Sequence, residues 1–194
     1  VTFTQGAEYS INGIFTVDVS TTLQGCTLKM ATNSRIDIQL GQTLVITDAS
    51  ASGSHLYACC ELWDGIYIAD NTATLVVNNG STIEDATNAI VSNNCGVYQL
   101  SNGVIMNKNY KHIVVNPCGN NTSTVEGTTI ECINGATSFT YPSAPPHTLR
   151  PPFAGVRSTV GVEINSAGFL QIGNPANSLL LNTFYNNTFG IRAT

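Results

Sequence analysis

Three segments of the chain align as copies of one another, and this repeat restricts the fold more than any other feature. The copies are IYIADNTATLVVNNGSTIEDATNA from Ile66, IVSNNCGVYQLSNGVIMNKNYKH from Ile90 and IVVNPCGNNTSTVEGTTIECINGA from Ile113, so the leading isoleucines are 24 and 23 residues apart. Each copy holds a β-branched run followed by a glycine, which is Gly80, Gly103 or Gly127. A period of this length, with short strands and Gly- or Asn-rich corners, is typical of a stacked β-solenoid.

The repeat predicts an all-β protein, built as a single-stranded parallel solenoid with about 23–24 residues per coil. No stretch of ten or more residues has the apolar spacing of an amphipathic helix. We expect one domain over residues 1–194, or a segment of a longer one, because GI in the final FGIRAT would open a further turn. Its predicted parts are irregular N-terminal strands (1–25), regular coils (26–137), a proline-rich loop (138–155) and final coils (156–194).

The proline-rich segment is where the repeat is interrupted. Five of the chain's 7 prolines fall within residues 138–155. Proline has no backbone N–H to donate to a strand ladder, so this segment has to leave the sheet. We therefore predict a long loop excursion from the wall of the solenoid.

Composition and charge exclude some classes of partner. Charged residues make up 10% of the chain, the net charge is -5, and Lys and Arg together number 7. Phosphate binding requires clustered Lys and Arg, so we expect no nucleic-acid partner. No apolar run is long enough to cross a bilayer, so we expect no membrane insertion. A surface rich in neutral polar residues instead favours a secreted, extracellular or cell-surface location.

The six cysteines carry a specific structural prediction. Cys95 and Cys118 occupy equivalent positions in successive copies, which a solenoid places about 4.8 Å apart. That distance lies within the Cα range of a disulfide, so we predict a Cys95–Cys118 disulfide between neighbouring coils. Cys26 could pair with either Cys59 or Cys60, since the sequence does not fix connectivity. No CxxC pair or Cys/His cluster indicates a metal site, and oxidised cysteines favour a location outside the cytosol.

A family resemblance supports the same fold. The segments LWDGIYIADNTATLVVNNGSTIEDATNAI, GVEINSAGFLQIG and NTFYNNTFGI resemble right-handed parallel β-helix (pectate-lyase-like) repeats of large secreted surface proteins of the Bacteroidota type. The resemblance covers roughly residues 40–135 and 160–194. It implies a right-handed coil of three sheets with a stacked aliphatic interior, exported and often part of a longer chain. Such modules serve as stalks, adhesins and enzyme scaffolds, so the resemblance leaves function open.

Glu84 and Asp85 are the most conspicuous acidic pair. The alignment places Glu84 in line with Met106 and Glu131, so the two glutamates lie two coils apart, about 9.6 Å. That separation suits an inverting glycosidase, and Glu84, Glu131 and Lys108 are the candidate catalytic groups if the protein is an enzyme. The pair is not repeated in the next coil, and the sequence lacks the aspartate clusters of pectin-cleaving β-helices and a recognisable calcium loop. We therefore interpret the pair as solvated decoration of one coil.

Four aromatic residues are candidates for ligand binding: Trp63, Tyr67, Tyr98 and Tyr110. Trp63 is expected to close over the edge of the core, and sugar stacking is the alternative.

The histidines lie in two settings. His112 is expected at the surface, partly covered. His147 and Arg150 lie in the proline-rich segment, which we expect to cover the wall of the solenoid. The alternative is that this positively charged, restricted loop meets an acidic partner.

The hypothesis that these observations favour is a non-enzymatic extracellular β-helix module, structural or adhesive. Its ends could pair with copies of itself, giving a surface fibre, or with flanking domains of a longer chain. The alternative is a β-helix that binds polysaccharide or cleaves it as a lyase or hydrolase, with glycans as partners. Neither hypothesis requires a cofactor.

Overall fold

The computed structural model describes residues 1–3, 5–48, 53–133, 148–168, 170–174 and 180–194. Within these ranges every regular element is a short β-strand. In chain order the strands are β1 (Thr2–Phe3), β2 (Glu8–Ile11), β3 (Ile14–Val17), β4 (Thr21–Gln24), β5 (Thr27–Met30), β6 (Arg35–Ile38), β7 (Thr43–Thr47), β8 (His55–Ala58), β9 (Gly65–Ile68), β10 (Thr74–Val77), β11 (Thr82–Glu84), β12 (Asn88–Ser92), β13 (Val97–Leu100), β14 (Ile105–Asn107), β15 (Lys111–Val115), β16 (Thr124–Val125), β17 (Thr129–Glu131), β18 (Ser158–Ile164), β19 (Gln171–Ile172), β20 (Thr183–Tyr185) and β21 (Asn187–Ala193).

The strands form three parallel sheets of seven strands each. Sheet A contains every third strand from β1 to β19, sheet B every third strand from β2 to β20, and sheet C every third strand from β3 to β21. One strand of each sheet makes one coil, and the chain completes seven coils. The protein is therefore a three-faced parallel β-helix, which confirms the predicted fold class. Right-handed connections are the rule between parallel strands of this kind.

The core is a set of aliphatic columns that run along the axis inside the three sheets. Alternation along each strand sends one residue inward and the next outward. In sheet C the inward column passes through residues paired one to the next: Ile36, Ile66, Ile90, Ile113 and Val162. All five are 0% exposed. The predicted stacking of the three repeat isoleucines is thus confirmed.

The N-terminal segment is more regular than predicted. Residues 1–25 were expected to form irregular strands, but β1, β2 and β3 pair in parallel with β4, β5 and β6. They make the first coil of the helix. The sequence pattern concealed this because the segment packs aromatic rings rather than isoleucines, with Phe3 in edge contact with Tyr9 and Phe15 at centroid distances of 4.9 and 5.7 Å.

Glycines and asparagines form the corners. Gly80, Gly103 and Gly127, the landmarks of the repeat, have φ of 72°, 79° and 55°. Positive φ is open to glycine at no steric cost and to asparagine more readily than to most residues. After sheet C an asparagine ladder links three coils: Asn116 donates its side-chain amide to Asn93 at 2.7 Å, and Asn165 donates to Asn116 at 3.5 Å.

The predicted disulfide between neighbouring coils is confirmed. Cys95 and Cys118 are bonded, with their Cα atoms 5.2 Å apart. The alternative pairing of Cys26 with Cys59 or Cys60 is wrong, because all three are free thiols. Cys26 precedes β5 and Cys59 follows β8, and these strands pair in register. The two cysteines are therefore five residue positions apart along the paired strands, about 16 Å.

The proline-rich excursion falls within one coil, between β17 and β18. Residues 138–147, including His147, lie outside the described residues. Residues 148–155 return to the wall of the solenoid: the Leu62 N–H donates to the Pro151 carbonyl at 2.9 Å, and Phe153 stacks on Tyr110 with centroids 3.8 Å apart. This part of the loop is therefore packed against the helix.

The disulfide restricts the unfolded chain, so we expect its loss to destabilise the fold. The double substitution Cys95→Ala/Cys118→Ala should lower the free energy of unfolding by about 3 kcal/mol, measured by urea denaturation. The control Cys60→Ala removes an exposed free thiol and should change it by less than about 0.5 kcal/mol. Equal losses in the two variants would contradict a structural role for the bond.

Candidate functional site

Charged side chains gather at the corner where sheet B turns into sheet C. Asp85 and Lys108 follow β11 and β14 directly, and both have left-handed backbone conformations, with φ of 61° and 53°. Asp85 donates its N–H to the Asn107 carbonyl at 3.3 Å, and Lys108 donates to the Glu131 carbonyl at 3.0 Å. The two residues therefore occupy equivalent corners of successive coils, one above the other.

The register differs by one residue from the sequence alignment. Glu84 pairs with Asn107, and Asn107 pairs with Glu131. Met106, predicted to lie between the glutamates, is 0% exposed and belongs to the core. A one-residue shift exchanges inward and outward faces, so the outer column between Glu84 and Glu131 carries a polar amide instead of a thioether.

Glu84 is held in its charged form by its neighbours. Its Oε1 lies 3.0 Å from His55 Nε2, and its Oε2 lies 3.3 Å from both Lys108 Nζ and Asn107 Nδ2. Burial opposes ionisation, but the hydrogen bond from His55 and the charge of Lys108 outweigh it and hold the pKa of Glu84 below its ordinary value. The side chain is 15% exposed.

Asp85 is buried rather than solvated, so the prediction of surface decoration is wrong for it. Its side chain is 0% exposed, with Lys108 Nζ 3.4 Å from Oδ1 and Arg150 Nε 3.2 Å from Oδ2. Burial raises the pKa of Asp85, against the opposing effect of the two cations. Neither carboxylate oxygen accepts a hydrogen bond of good geometry. The meeting of the proline-rich loop with an acidic partner, the alternative drawn from the sequence, is thus found at Arg150.

Glu131 has an environment opposite to that of Glu84. Burial, together with the negative charge of Glu84, raises the pKa of Glu131. Its Oε2 is buried without a hydrogen-bond partner. Two carboxyl groups whose pKa values are displaced in opposite directions are the arrangement required of a general base and a general acid. The sequence-predicted residues Glu84, Lys108 and Glu131 thus share one outer face and its corner.

His112 is a core residue rather than the predicted surface histidine. Asn109 accepts the Ala86 N–H through Oδ1 at 2.9 Å, so its Nδ2 faces His112 Nδ1 at 3.1 Å and donates to it. The imidazole Nε2 therefore carries the proton and donates to Ser158 Oγ at 3.2 Å. Complete burial lowers the pKa of His112 to about 3, so the ring is neutral.

The four candidate ligand-binding rings divide into two pairs. Trp63 and Tyr98 are 0% exposed, and Trp63 donates its indole N–H to the Glu84 carbonyl at 2.8 Å. A sugar cannot reach either ring. Trp63 therefore packs in the core, as expected, rather than taking the alternative sugar-stacking role, and Tyr98 is a core residue too. Tyr67 and Tyr110 are half-buried, and one face of Tyr110 is covered by Phe153.

One cavity escaped the sequence analysis. It measures about 220 Å³ on the outer side of sheet C and is lined by polar and aromatic residues, including Arg35, Asp37, Tyr67 and Asn93. Arg35 forms an ion pair with Asp37 at 2.9 Å and lies over the Tyr67 ring at 5.3 Å. These residues come from three different coils, so no local motif indicated the cavity.

Comparisons with known proteins add no function. No protein-family model matches the chain, no curated protein matches it, and no solved structure matches it. Among the described residues, no three His, Cys, Asp or Glu side chains converge as a metal site would require, and no helix is long and apolar enough to span a bilayer. Function has to be argued from the geometry.

The buried neutral His112 predicts an acid-dependent loss of stability. Its folded pKa of about 3 lies below the unfolded value of about 6.5, so the unfolded chain binds the extra proton between these values. Stability is complete above pH 6.5 and falls as the pH is lowered. We expect a loss on the order of 2 kcal/mol between pH 7 and pH 5, measured by urea denaturation.

The substitution His112→Gln keeps a polar side chain but removes this titration, so its stability should change little over the same interval. Glu84 does not contribute to a difference between pH 7 and pH 5. A carboxyl group with a lowered pKa loses its stabilising effect only below about pH 4.3. The same change of stability in the wild type and in His112→Gln between pH 7 and pH 5 would show that His112 is not held neutral.

Proposed function

We propose that the protein is an extracellular β-helix module with a structural or adhesive role, whose coil ends stack against another β-coil. The observation that carries this proposal is the open edge at each end of the helix. Within the described part of the chain, strands β1, β2 and β3 have one neighbour each in their sheets, as do β19, β20 and β21. Unpaired edges of this kind are templates for further strands.

The side chains at these ends are apolar. At the first coil Val1, Ile14 and Val19 are 68%, 58% and 50% exposed. At the last coil Leu181, Phe189 and Ile191 are 74%, 46% and 51% exposed. Apolar surface beside unpaired strand edges favours association with a matching coil, and a copy of the same chain supplies one.

The charged corner supports a structural role in a second way. The cations that an enzyme would direct at a substrate, Lys108 and Arg150, are both turned towards Asp85. The contact of Arg150 with Asp85 holds the returning loop against the solenoid wall, and that of Lys108 joins two neighbouring coils. The disulfide between coils is consistent with an oxidising, extracellular location, as is the resemblance to pectate-lyase-like segments of Bacteroidota-type surface proteins.

End-to-end association predicts a position-dependent effect of surface charge. We expect the purified chain to form linear assemblies in negative-stain images and concentration-dependent oligomers in sedimentation velocity experiments. Leu181→Lys, at the last coil, should weaken association at least tenfold, because a charge at the stacking surface has to be desolvated.

The matched control is Asn71→Lys, which places the same charge at an exposed corner residue between β9 and β10, in the middle of the solenoid. It should associate like the wild type. A chain that stays monomeric at all concentrations, or equal weakening by both substitutions, would overturn end-to-end stacking.

A second candidate function rests on the outer face of sheet B. The column Glu84, Asn107 and Glu131 continues to Tyr185, and at the other side the pairing of Ile83 with Leu56 puts Tyr57 beside Glu84. Two tyrosines thus flank an acidic and amide-bearing stripe with a spacing of about 4.8 Å per coil. Such a stripe suits a polysaccharide chain lying along the axis, with Glu131 as acid and Glu84 as base.

This candidate predicts that a glycan array identifies a polysaccharide ligand, and that reducing-sugar or unsaturated-product assays detect its cleavage. Glu131→Gln and Glu84→Gln should each lower the rate at least a hundredfold, because each removes an acid–base group. Glu61→Gln alters an exposed glutamate of a loop and should retain full activity. Absence of both binding and product formation eliminates this candidate without touching the structural one.

A further inference from the structure

The stacked pair of Asp85 and Lys108 has a geometry that an ordinary surface ion pair lacks. Both residues occupy the same corner of successive coils, with a separation of 23 residues, as do the disulfide-bonded Cys95 and Cys118. Strand pairing on both sides of the corner fixes their backbones relative to each other. The amine of one is thereby held against the carboxyl of the other.

The carboxyl group of Asp85 is withdrawn from water and not committed to hydrogen bonds. Lys108 Nζ lies 3.4 Å from Oδ1, and the two side chains are 16% and 0% exposed. Oδ1 and Oδ2 both lack a hydrogen-bond donor of good geometry. In such a setting the charged form of a carboxyl group is disfavoured relative to the neutral one, and burial raises the pKa of Asp85.

Two further groups are placed where a condensation would use them. Arg150 Nε lies 3.2 Å from Oδ2, where it can stabilise negative charge that develops on that oxygen. Glu84 Oε2 lies 3.3 Å from Lys108 Nζ, where it can accept a proton from the amine and pass it on. The corner thus holds a nucleophile, an electrophile, an oxyanion partner and a proton relay.

We infer that Lys108 and Asp85 join in an intramolecular isopeptide bond between neighbouring coils. A proton passes from the Lys108 ammonium to Oδ1 of Asp85, the Nζ lone pair of the resulting amine attacks Cγ, and the C–N bond forms. The negative charge of the tetrahedral intermediate lies on Oδ2 beside Arg150. Glu84 takes a proton from the nitrogen and delivers it to the departing Oδ1 hydroxyl, and the C–Oδ1 bond breaks. One water molecule leaves, and no oxidant or reductant is needed.

The nearest comparison within the chain is Lys111 with Glu163. Their ion pair is shorter, at 2.6 Å, but Lys111 is 27% exposed and Arg192 contacts the other oxygen of Glu163. Both oxygens of Glu163 accept hydrogen bonds, from Lys111 and Arg192, whereas neither oxygen of Asp85 does. A carboxylate that is hydrogen-bonded at both oxygens is a poor electrophile. Lys111 is therefore the matched control, a lysine beside a carboxylate that should not react.

Intact mass spectrometry of the purified, reduced and denatured protein tests the bond. The wild type should be lighter than its sequence mass by one water molecule. Trypsin should fail to cleave after Lys108, so residues 36–111 should be released as one peptide that is lighter by one water molecule. Its fragment spectra should lack backbone fragments from cleavage between Asp85 and Lys108. Because the measurement is made on unfolded wild-type protein, it does not depend on whether any variant folds.

Three variants assign the loss to this pair. Lys108→Arg and Asp85→Ala should have their full sequence masses, and Glu84→Gln should lose water more slowly by at least tenfold, because its relay is removed. Lys111→Arg should retain the mass deficit. A wild type at full sequence mass, or a deficit that persists in Lys108→Arg, would overturn the inference. Either result leaves the structural and polysaccharide proposals intact, since neither depends on this bond.

Discussion

Parallel pairing between equivalent residues of successive coils sets the position of every side chain in this protein. Each residue lies about 4.8 Å from its counterpart in the next coil, and the counterparts of an inward residue are themselves inward. The aliphatic column of sheet C, the asparagine ladder and the disulfide are three results of this one spacing. Slipping one strand by one residue would turn an entire inward set outward, so the core enforces the register that the corners use.

The side chains that react or form ion pairs between coils lie at the corners of the solenoid rather than on its faces. On a sheet face an outward side chain has solvent above it, whereas a corner residue with positive φ turns its side chain between adjacent coils. Cys95, Asp85 and Lys108 all have left-handed φ values, which cost a non-glycine residue of order 1 kcal/mol or more. Stacking holds them there, because the strands before and after each corner are paired. The same backbone strain that makes these positions unusual brings reactive groups of neighbouring coils into contact.

The sequence predicted those features that depend on the period alone. Ile66, Ile90 and Ile113 stack, and Cys95 bonds to Cys118, because equal spacing along the chain becomes superposition in space. It failed where residue type was followed instead of spacing. The alignment matched Ile105 with Ile83 and so put Met106 in line with Glu84, although Met106 and Ile83 each lie three residues after the glycine of their copy and pair with each other. Hydrophobic alternation was the better guide, because Met106 belongs with the inward residues.

The second feature that the sequence did not predict is the burial of polar side chains. His112 and Asp85 look like surface residues in a linear pattern, yet both are 0% exposed. For Asp85 the missing information was the path of the proline-rich excursion, which returns Arg150 to a carboxylate distant from it in the sequence. For His112 it was the set of partners from other coils, Asn109 and Ser158, that keeps a neutral ring satisfied.

The charged corner also shows why a buried ion cluster is a weak account of stability by itself. Removing charges from water costs several kcal/mol per ion, and attraction offsets this only when hydrogen bonds satisfy the remaining valences. Asp85 has two cations within reach and no well-formed hydrogen bond to either oxygen. As an ion pair this arrangement is therefore poorly compensated, whereas an amide between Lys108 and Asp85 would remove both charges from the interior. The poorly compensated charge of Asp85 and the proposed amide bond to Lys108 both follow from this geometry.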